Sequence, residues 1–193
     1  MLEFLVNNCR SIRSFDESHP VTDEELCSFI NIARCTASAA NRQPIKYRII
    51  TGDECSAVQP LTAWAGALPE LELPPKGKMP TAFVMMCHDT DISPVSDYAA
   101  MDIGIAAQTL ALAAAEEGIG CCMIGSFKNE LKDVLGLTEN LAPRLLLAFG
   151  RPAETALICS PRNGNVTYFR DDAGVHFVPK RTLDEIIIRR GDL

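Results

Sequence analysis

One stretch of this sequence, residues 97–118, most restricts the fold that the chain can adopt. It is a long helical candidate that is apolar nearly all round, interrupted by Asp102, Gln108 and Thr109. A helix without a polar face is buried in a core or a subunit interface. The interruptions argue against a membrane span, which needs about 20 mostly apolar residues. The stretch therefore predicts a buried central helix, with Gly118 as its C-cap.

Other apolar runs predict strands. Ala82–Cys87 is continuously apolar and Arg144–Phe149 is nearly so, as expected for buried central strands. Tyr47–Ile50 predicts a further strand, while Val166–Phe169 and Val175–Val178 predict a hairpin. The chain thus supplies several short strands around its long helix.

Shorter helices are predicted at Leu2–Asn8, Thr22–Cys35, Asn129–Leu135 and Thr182–Ile188. The second and the fourth open with capping boxes, in which a Thr is followed three residues later by a Glu. Residues 61–80 are rich in Pro and Gly, which predicts a loop or lid. Because the 193 residues contain no repeat or linker, the chain is expected to form a single α+β domain over residues 1–193.

Charge and composition exclude several classes of protein. The net charge of −7 opposes general binding to nucleic acid or to a membrane surface, because both need a surplus of Lys and Arg. Any anion site must therefore be local. No charged segment followed by an apolar run opens the chain, so we expect no secretory signal and a cytoplasmic protein.

The eight cysteines favour reduced thiols over a disulfide framework. Most lie in apolar stretches, where a free Cys acts as a small hydrophobic residue. No CxxC motif and no Cys/His zinc spacing is present. The three histidines, His19, His88 and His176, are scattered, and they are interpreted as surface or strand-end residues. We expect no metal site, and the chain also has no GxGxxG opening a helix, no Walker A sequence and no GxSxG.

Two basic segments could form a local anion site. Arg10-Ser11-Ile12-Arg13 places guanidinium and hydroxyl donors along one short path, a combination that suits a phosphate. Lys180 and Arg181 precede the last predicted helix, where cations oppose the helix dipole and a bound anion would explain them. Solvated surface charge is the alternative in both cases.

Two further segments could contact a flat ligand. Ser38–Pro44 combines small residues with the amides of Asn41 and Gln43, which could bind the polar edge of a ring. Residues 118–127 offer bare backbone N–H groups at Gly125 and Ser126. The alternatives are a polar loop and a core turn.

In this order, the segments resemble the nitroreductase family of FMN enzymes. The resemblance covers nearly the whole chain and runs through Arg10–Phe15, Pro20–Val21, Ser38–Pro44, Asp102–Gln108, Gly118–Gly120 and Pro179–Arg181. It implies a nitroreductase-like α+β fold, with a central, mainly antiparallel sheet flanked by helices. It also implies a homodimer with flavin sites at the interface. Cys9 stands where the family often has a further arginine.

The resemblance assigns roles to the basic residues. Arg10, Ser11 and Arg13 would hold the FMN phosphate and ribityl chain, and Lys180 and Arg181 would close on the same phosphate. The other implied cofactor-binding residues are Ala37, Ser38, Ala39, Asn41, Lys78, Met123, Ile124, Gly125 and Ser126. The Ser38 loop would reach the partner's flavin, and the Met123–Ser126 turn would lie against the isoalloxazine, with the Gly125 N–H near N5. No side-chain acid or base is required, so no catalytic residue is named.

The implied function is an FMN-dependent oxidoreductase. It would take hydride from NADH or NADPH on flavin N5 and reduce nitroaromatics, quinones or similar small-molecule acceptors by a ping-pong exchange. Alternatives are a non-catalytic flavin-binding or storage protein, a specialised flavin enzyme of the same fold such as a dehalogenase, and a thiol redox protein. The sequence does not distinguish NADH from NADPH.

Overall fold

A computed structural model describes residues 1–189 of the chain. Within that range the strands are β1 (Phe15–Asp16), β2 (Ile45–Thr51), β3 (Ala82–Asp89), β4 (Gly120–Ile124), β5 (Leu141–Pro152), β6 (Ala156–Cys159), β7 (Phe169–Arg170) and β8 (His176–Pro179). The first five form one antiparallel sheet. In it, β5 pairs with β3 on one edge and β4 on the other, β1 pairs with the end of β5, and β2 lies beside β3.

The central strand β3 is buried on both faces. Val84 and Met86 pack into one core with α-helices, while Phe83 and Met85 point into a second core on the opposite side. Successive side chains of a strand point to opposite faces, so a strand between two cores must be continuously apolar. This is the physical reason for the apolar run that predicted the strand.

The helices among residues 1–189 are α1 (Leu2–Asn8), α2 (Asp23–Ala33), α3 (Glu54–Val58), α4 (Asp97–Glu116), α5 (Leu131–Val134) and α6 (Leu183–Ile186), with short 3₁₀ helices at Ala39–Asn41 and Gln59–Leu61. Both predicted capping boxes are present. In the first, the Glu25 N–H donates to Thr22 Oγ1 at 3.2 Å and the Thr22 N–H donates to Glu25 Oε2 at 2.9 Å. These bonds satisfy N–H groups that helix starts otherwise leave unpaired.

The long helix α4 is buried along one face only. Its inner face packs in the core through residues such as Ile103 and Leu110, whereas Tyr98, Met101 and Ile105 are exposed on the other face. By length and composition α4 could cross a membrane, but half of its most apolar window is buried inside the molecule, as in the core helix of a soluble protein. The prediction of a central core helix is confirmed, with an exposed apolar face in addition.

The C-terminus of α4 has the predicted glycine cap. Gly118 has a φ of 69°, a backbone conformation that glycine adopts without a steric penalty. The Ile119 N–H donates to the Ala114 carbonyl at 2.8 Å and the Gly118 N–H to the Ala115 carbonyl at 3.1 Å. This is the Schellman arrangement, and it turns the chain directly into β4.

The expectation of a turn at Met123–Ser126 is wrong for its first half. Residues Gly120–Ile124 are strand β4, paired in register with β5 from Gly150 to Leu146. The apolar run from Ile119 to Ile124 buries alternate faces against the two cores. Pairing with β5 therefore makes this stretch a strand, and of the predicted turn only residues 125 and 126 lie outside it.

A second, three-stranded sheet follows the main one. β8 pairs in parallel with β6 and antiparallel with β7, with Phe169 opposite Phe177. The predicted hairpin is confirmed between β7 and β8, but its first strand is Phe169–Arg170 and not the predicted Val166–Phe169. We call β6, β7 and β8, with the connections between them, the C-terminal sheet (residues 156–179).

Candidate functional site

A cavity of about 360 Å³ lies where α4, β4, the residues after α1 and the C-terminal sheet meet. We call it the basic cavity. It is lined by Cys9, Arg10, Ser11, Arg13, Gln108, Ala111, Cys121, Met123, Tyr168, His176, Val178 and Lys180. Five of the predicted site residues are therefore brought together here from three distant parts of the chain. Three of the lining residues are cations and none is acidic, so the cavity favours an anion.

Two facing glycines allow the Arg10–Arg13 segment to lie across the sheet. Gly120 and Gly150 are opposite each other on β4 and β5. A Cβ on Gly120 would come within 2.8 Å of the Ile12 side chain, and one on Gly150 within 2.8 Å of Phe15. The Ile12 N–H also donates to the Cys121 carbonyl at 3.0 Å. Burial of Ile12 and Phe15 thus fixes the backbone that carries Ser11 and the two arginines.

Several N–H donors at the basic cavity have no acceptor. Within the described part of the chain, Arg10 Nε, Arg13 Nε and His176 Nδ1 are buried without a hydrogen-bond partner. Buried polar groups are almost always paired, and an unpaired one costs about 1–3 kcal/mol. The three residues that carry these atoms all line the basic cavity, which favours an acceptor-rich ligand there.

His176 was not predicted as a site residue. It is the first residue of β8, so its assignment to a strand end is correct, but its ring is fully buried. Arg13 Nη1 lies 3.1 Å from His176 Nε2. Burial, together with the Arg13 and Arg170 cations, lowers the pKa of His176 to about 4. Because 163 residues separate Arg13 from His176, no local pattern in the sequence could have paired them.

The cysteines at this site are free thiols. Cys121 is fully buried, and burial raises the pKa of its thiol well above the usual value. Burial also raises the pKa of Cys9, against the lowering effect of the neighbouring Arg10. The thiolate is the reactive form, so these groups act as packing residues at neutral pH.

The Ser38 loop, residues Ser38–Pro44, lies near the start of α4, away from the basic cavity. Ser38 Oγ donates to Asp102 Oδ2 at 2.6 Å, and the Ala39 N–H donates to Asp102 Oδ1 at 3.0 Å. The Gln43 N–H in turn donates to Ser38 Oγ at 3.0 Å. Asp102, the polar interruption of the apolar helix, is buried and serves as the anchor of this loop.

The Ser38 loop lines a separate cavity of about 430 Å³ at the start of α4. From Asp102 to Ala111 the helix advances by roughly 13 Å, at about 1.5 Å per residue. None of the residues that line this cavity also lines the basic cavity. Within one chain, therefore, the loop and the basic residues form two separate places.

The remaining predicted residues do not line the basic cavity. Ile124 is buried in the core, whereas Gly125 and Ser126 are exposed beyond the end of β4. The Ser126 carbonyl accepts from the Ala63 N–H at 3.0 Å, and the Lys78 carbonyl accepts from the Phe15 N–H at 3.0 Å. The predicted residues that do not line the basic cavity are Ala37, Ser38, Ala39, Asn41, Lys78, Ile124, Gly125, Ser126 and Arg181.

Comparison with known proteins identifies the family. Residues 7–151 match the model of the nitroreductase family. The chain belongs to this family. Among curated relatives, it is 29% identical over 173 residues to an FMN reductase (NADPH) of Bacillus subtilis, with 79% of this chain and 66% of that protein covered. It is 28% identical over 158 residues to an NADPH-flavin oxidoreductase of Vibrio harveyi, with coverage of 74% and 62%. The chain thus spans about two thirds of the length of these relatives.

Solved structures confirm the nitroreductase fold. A nitroreductase-family protein from Streptococcus pneumoniae superposes with a TM-score of 0.72 at 20% identity, covering 98% of this chain and all of that one. A protein from Desulfovibrio desulfuricans, solved in complex with FMN, gives a TM-score of 0.71 at 19% identity and covers 98% and 96% of the two chains. The α+β prediction with a central antiparallel sheet is confirmed.

The basic cavity of this nitroreductase-family chain has two origins. Arg10, Arg13 and Met123 lie within the residues that match the family model, while His176 and Lys180 lie beyond them. The part of the chain that matches the family model supplies the arginines, and the C-terminal sheet and Lys180 complete the wall of the cavity.

Proposed function

We propose that this chain is an FMN-dependent NAD(P)H oxidoreductase. The observation that carries the proposal is the set of unpartnered buried donors on Arg10, Arg13 and His176 around one basic cavity. A phosphate monoester offers several acceptor oxygens and negative charge to such a set, and guanidinium groups match it with charge-assisted bonds. The relatives named as an FMN reductase and an NADPH-flavin oxidoreductase support the same cofactor and co-substrate.

The residues of the basic cavity fit the phosphate end of FMN. Arg10 and Arg13 would bind the phosphate oxygens, with Ser11 as a neutral donor and Lys180 as a further cation. Arg181 follows Lys180 just before α6 and would add its charge from the rim. Since the whole chain carries a net charge of −7, this local concentration of cations is what attracts the anion.

The flavin ring would extend from the phosphate along β4. Met123 is part exposed, lines the basic cavity and offers an apolar contact, and Gly125 would present its backbone N–H near N5. Ile124 can contribute only its backbone, because its side chain is buried. Ser126 and Lys78 would stand at the far rim. When bound, FMN would accept hydride from NADH or NADPH at N5 and pass reducing equivalents to a nitroaromatic, quinone or similar acceptor in a ping-pong exchange.

A second copy of the chain would complete the site. The exposed face of α4 carries Tyr98, Met101 and Ile105 at helical spacing, and exposed apolar patches of this kind mark interfaces. Packing two such faces together would bring the Ser38 loop, with Ala37, Ala39 and Asn41, toward the partner's flavin. The protein is accordingly proposed to be a cytoplasmic homodimer with two interface sites.

The test is the absorbance spectrum of the purified protein. We expect a yellow protein, or one that becomes yellow on reconstitution with FMN, whose flavin bands bleach on addition of NADH or NADPH. A colourless protein that cannot be reconstituted contradicts the proposal. Flavin that binds but stays oxidised on the seconds timescale in stopped flow indicates the storage alternative instead.

The dimer is tested separately by equilibrium sedimentation. Wild type should sediment as a dimer, and Ile105→Asp should give monomers, because a carboxylate would be buried without a partner at the interface. Asp172→Asn, on an exposed turn far along the chain, is the matched surface control. A wild-type monomer that still binds FMN tightly contradicts the shared site.

A further inference from the structure

The C-terminal sheet surrounds one arginine of the basic cavity with polar and aromatic side chains. Arg13 belongs to the segment that the family model matches, whereas Tyr168, Arg170 and His176 lie beyond residue 151. Arg13 is nearly buried, with 9% of its surface exposed. Its orientation is therefore set by the C-terminal sheet more than by solvent.

The contacts define the role of each nitrogen. Arg13 Nη1 is 3.1 Å from His176 Nε2, and a guanidinium nitrogen can only donate. Nε2 must then be the unprotonated acceptor of the ring, and the proton lies on Nδ1. On its other side, the guanidinium carbon of Arg13 lies 5.0 Å from the centre of the Tyr168 ring, within the range of a cation–π contact. The centres of the Tyr168 ring and the His176 imidazole are 5.3 Å apart.

The surrounding charges keep this arrangement at neutral pH. Arg170 pairs with the buried carboxylate of Glu154, whose other oxygen accepts from the Arg13 backbone N–H at 2.5 Å. Arg13 and Arg170 thus share the Glu154 carboxylate beside the His176 ring, while Lys180 lines the same cavity. A second proton on His176 would add a cation to this group, and the pKa of about 4 expresses that cost.

We infer that His176 and Tyr168 are positioning residues for the phosphate site, holding the Arg13 guanidinium in place at the wall of the basic cavity. This inference rests on the proposed function. His176 accepts from Nη1, the Tyr168 ring lies against the guanidinium, and Nε is left without a protein acceptor among the described residues. Preorganisation of this kind raises affinity by removing the entropic cost of ordering the side chain on binding.

Two substitutions at position 176 separate the hydrogen bond from the packing. His176→Phe keeps an aromatic ring beside Tyr168 and removes the acceptor, whereas His176→Gln keeps an acceptor for Arg13. FMN and riboflavin, which lacks the phosphate, are titrated into flavin-free protein by quenching of flavin fluorescence. FMN affinity should fall about 10-fold or more in the Phe variant, as expected for one lost hydrogen bond to a charged group, and by less than about 2-fold in the Gln variant. Riboflavin affinity should be equal in all three proteins.

The outcomes distinguish the two proposals. If wild type binds neither flavin, the proposed function fails. If wild type prefers FMN but the Phe variant binds it equally well, or loses FMN and riboflavin in the same proportion, the positioning role is wrong. His176→Phe should also cause no additional loss in an Arg13→Ala background, the signature of two residues that act through one contact. Should the Phe variant not fold, Tyr168→Leu tests the other side of the guanidinium, with the same selective loss of FMN expected and an unchanged preference overturning the inference.

Discussion

Polar residues near the two ends of α4 differ in whether their hydrogen bonds are made within the chain. At the start of the helix, Asp102 anchors the Ser38 loop by accepting from the Ser38 hydroxyl and from the Ala39 N–H. About 13 Å further along, Arg10 and Arg13 keep buried Nε atoms without acceptors. The Ser38 loop is a structural anchor whose contacts with Asp102 are made within the chain. The basic cavity keeps unpaired donors, which favour a ligand with acceptor atoms.

Whether polar atoms already have hydrogen-bond partners within the chain, more than residue type, therefore indicates a binding site. A polar residue whose bonds are all satisfied internally gains little from a ligand, whereas an unpaired buried donor recovers its desolvation cost when an acceptor arrives. The Ser38 loop is therefore expected to form a rigid wall of the proposed FMN site. The basic cavity is expected to supply the affinity for the phosphate.

The largest expected effect is at Arg13. Arg13→Ala removes a charge-assisted contact worth about 1.5–3 kcal/mol, so FMN affinity should fall by about 10-fold or more, measured by fluorescence titration. Arg34→Ala is the matched control, since this exposed arginine bonds only locally, with Nε donating to Asn31 Oδ1. Unchanged affinity in Arg13→Ala would show that the phosphate lies elsewhere and would remove the contrast between the two regions.

The next largest effect is on stability, at Asp102 near the start of α4. Asp102→Ala leaves the Ser38 hydroxyl and the Ala39 N–H without their acceptor, so the free energy of unfolding should fall by about 1–3 kcal/mol. Urea denaturation of flavin-free protein measures this directly. Asp172→Asn, on an exposed turn, should change stability by less than about 0.5 kcal/mol. If Asp102→Ala were as stable as wild type, the loop would not be anchored by this carboxylate.

The smallest effect concerns pH. The pKa of His176 is lowered from 6.5 to about 4, so between these values the unfolded chain binds a proton that the folded chain does not. The free energy of unfolding must then decrease as the pH falls from 6.5 towards 4, and this contribution is fully present only above pH 6.5. The stability advantage of wild type over His176→Gln should shrink across that window and stay constant above it.

Urea denaturation at pH 7.5, 5.5 and 4.5 checks this expectation. His19→Gln serves as the control, because the His19 side chain is 71% exposed and lies away from the two arginines. If the free energies of unfolding of wild type and His176→Gln differed by the same amount from pH 7.5 to 4.5, the His176 ring would not be held neutral by Arg13 and Arg170.

Local patterns were enough to predict most of the framework. Ala82–Cys87, the helix from residue 97 and both capping boxes are confirmed because each has a signal in the local sequence: a continuous apolar run, a long apolar helical stretch, or a Thr followed three residues later by a Glu. β4 was missed as a strand, since its pairing with β5 and the close approach of Ile12 to Gly120 are long-range contacts. A run that ends in Gly125 and Ser126 looks locally like a turn.

The α+β class, the long central helix and the resemblance to nitroreductases can be read from the unfolded chain, because periodicity, capping and ordered motifs are local properties. Which polar groups are left unpaired follows from the folded structure alone. It placed Asp102 against the Ser38 loop, and it placed His176 and Tyr168 around Arg13. Satisfaction of a hydrogen bond depends on which distant residues meet, and that information appears only when the chain is folded.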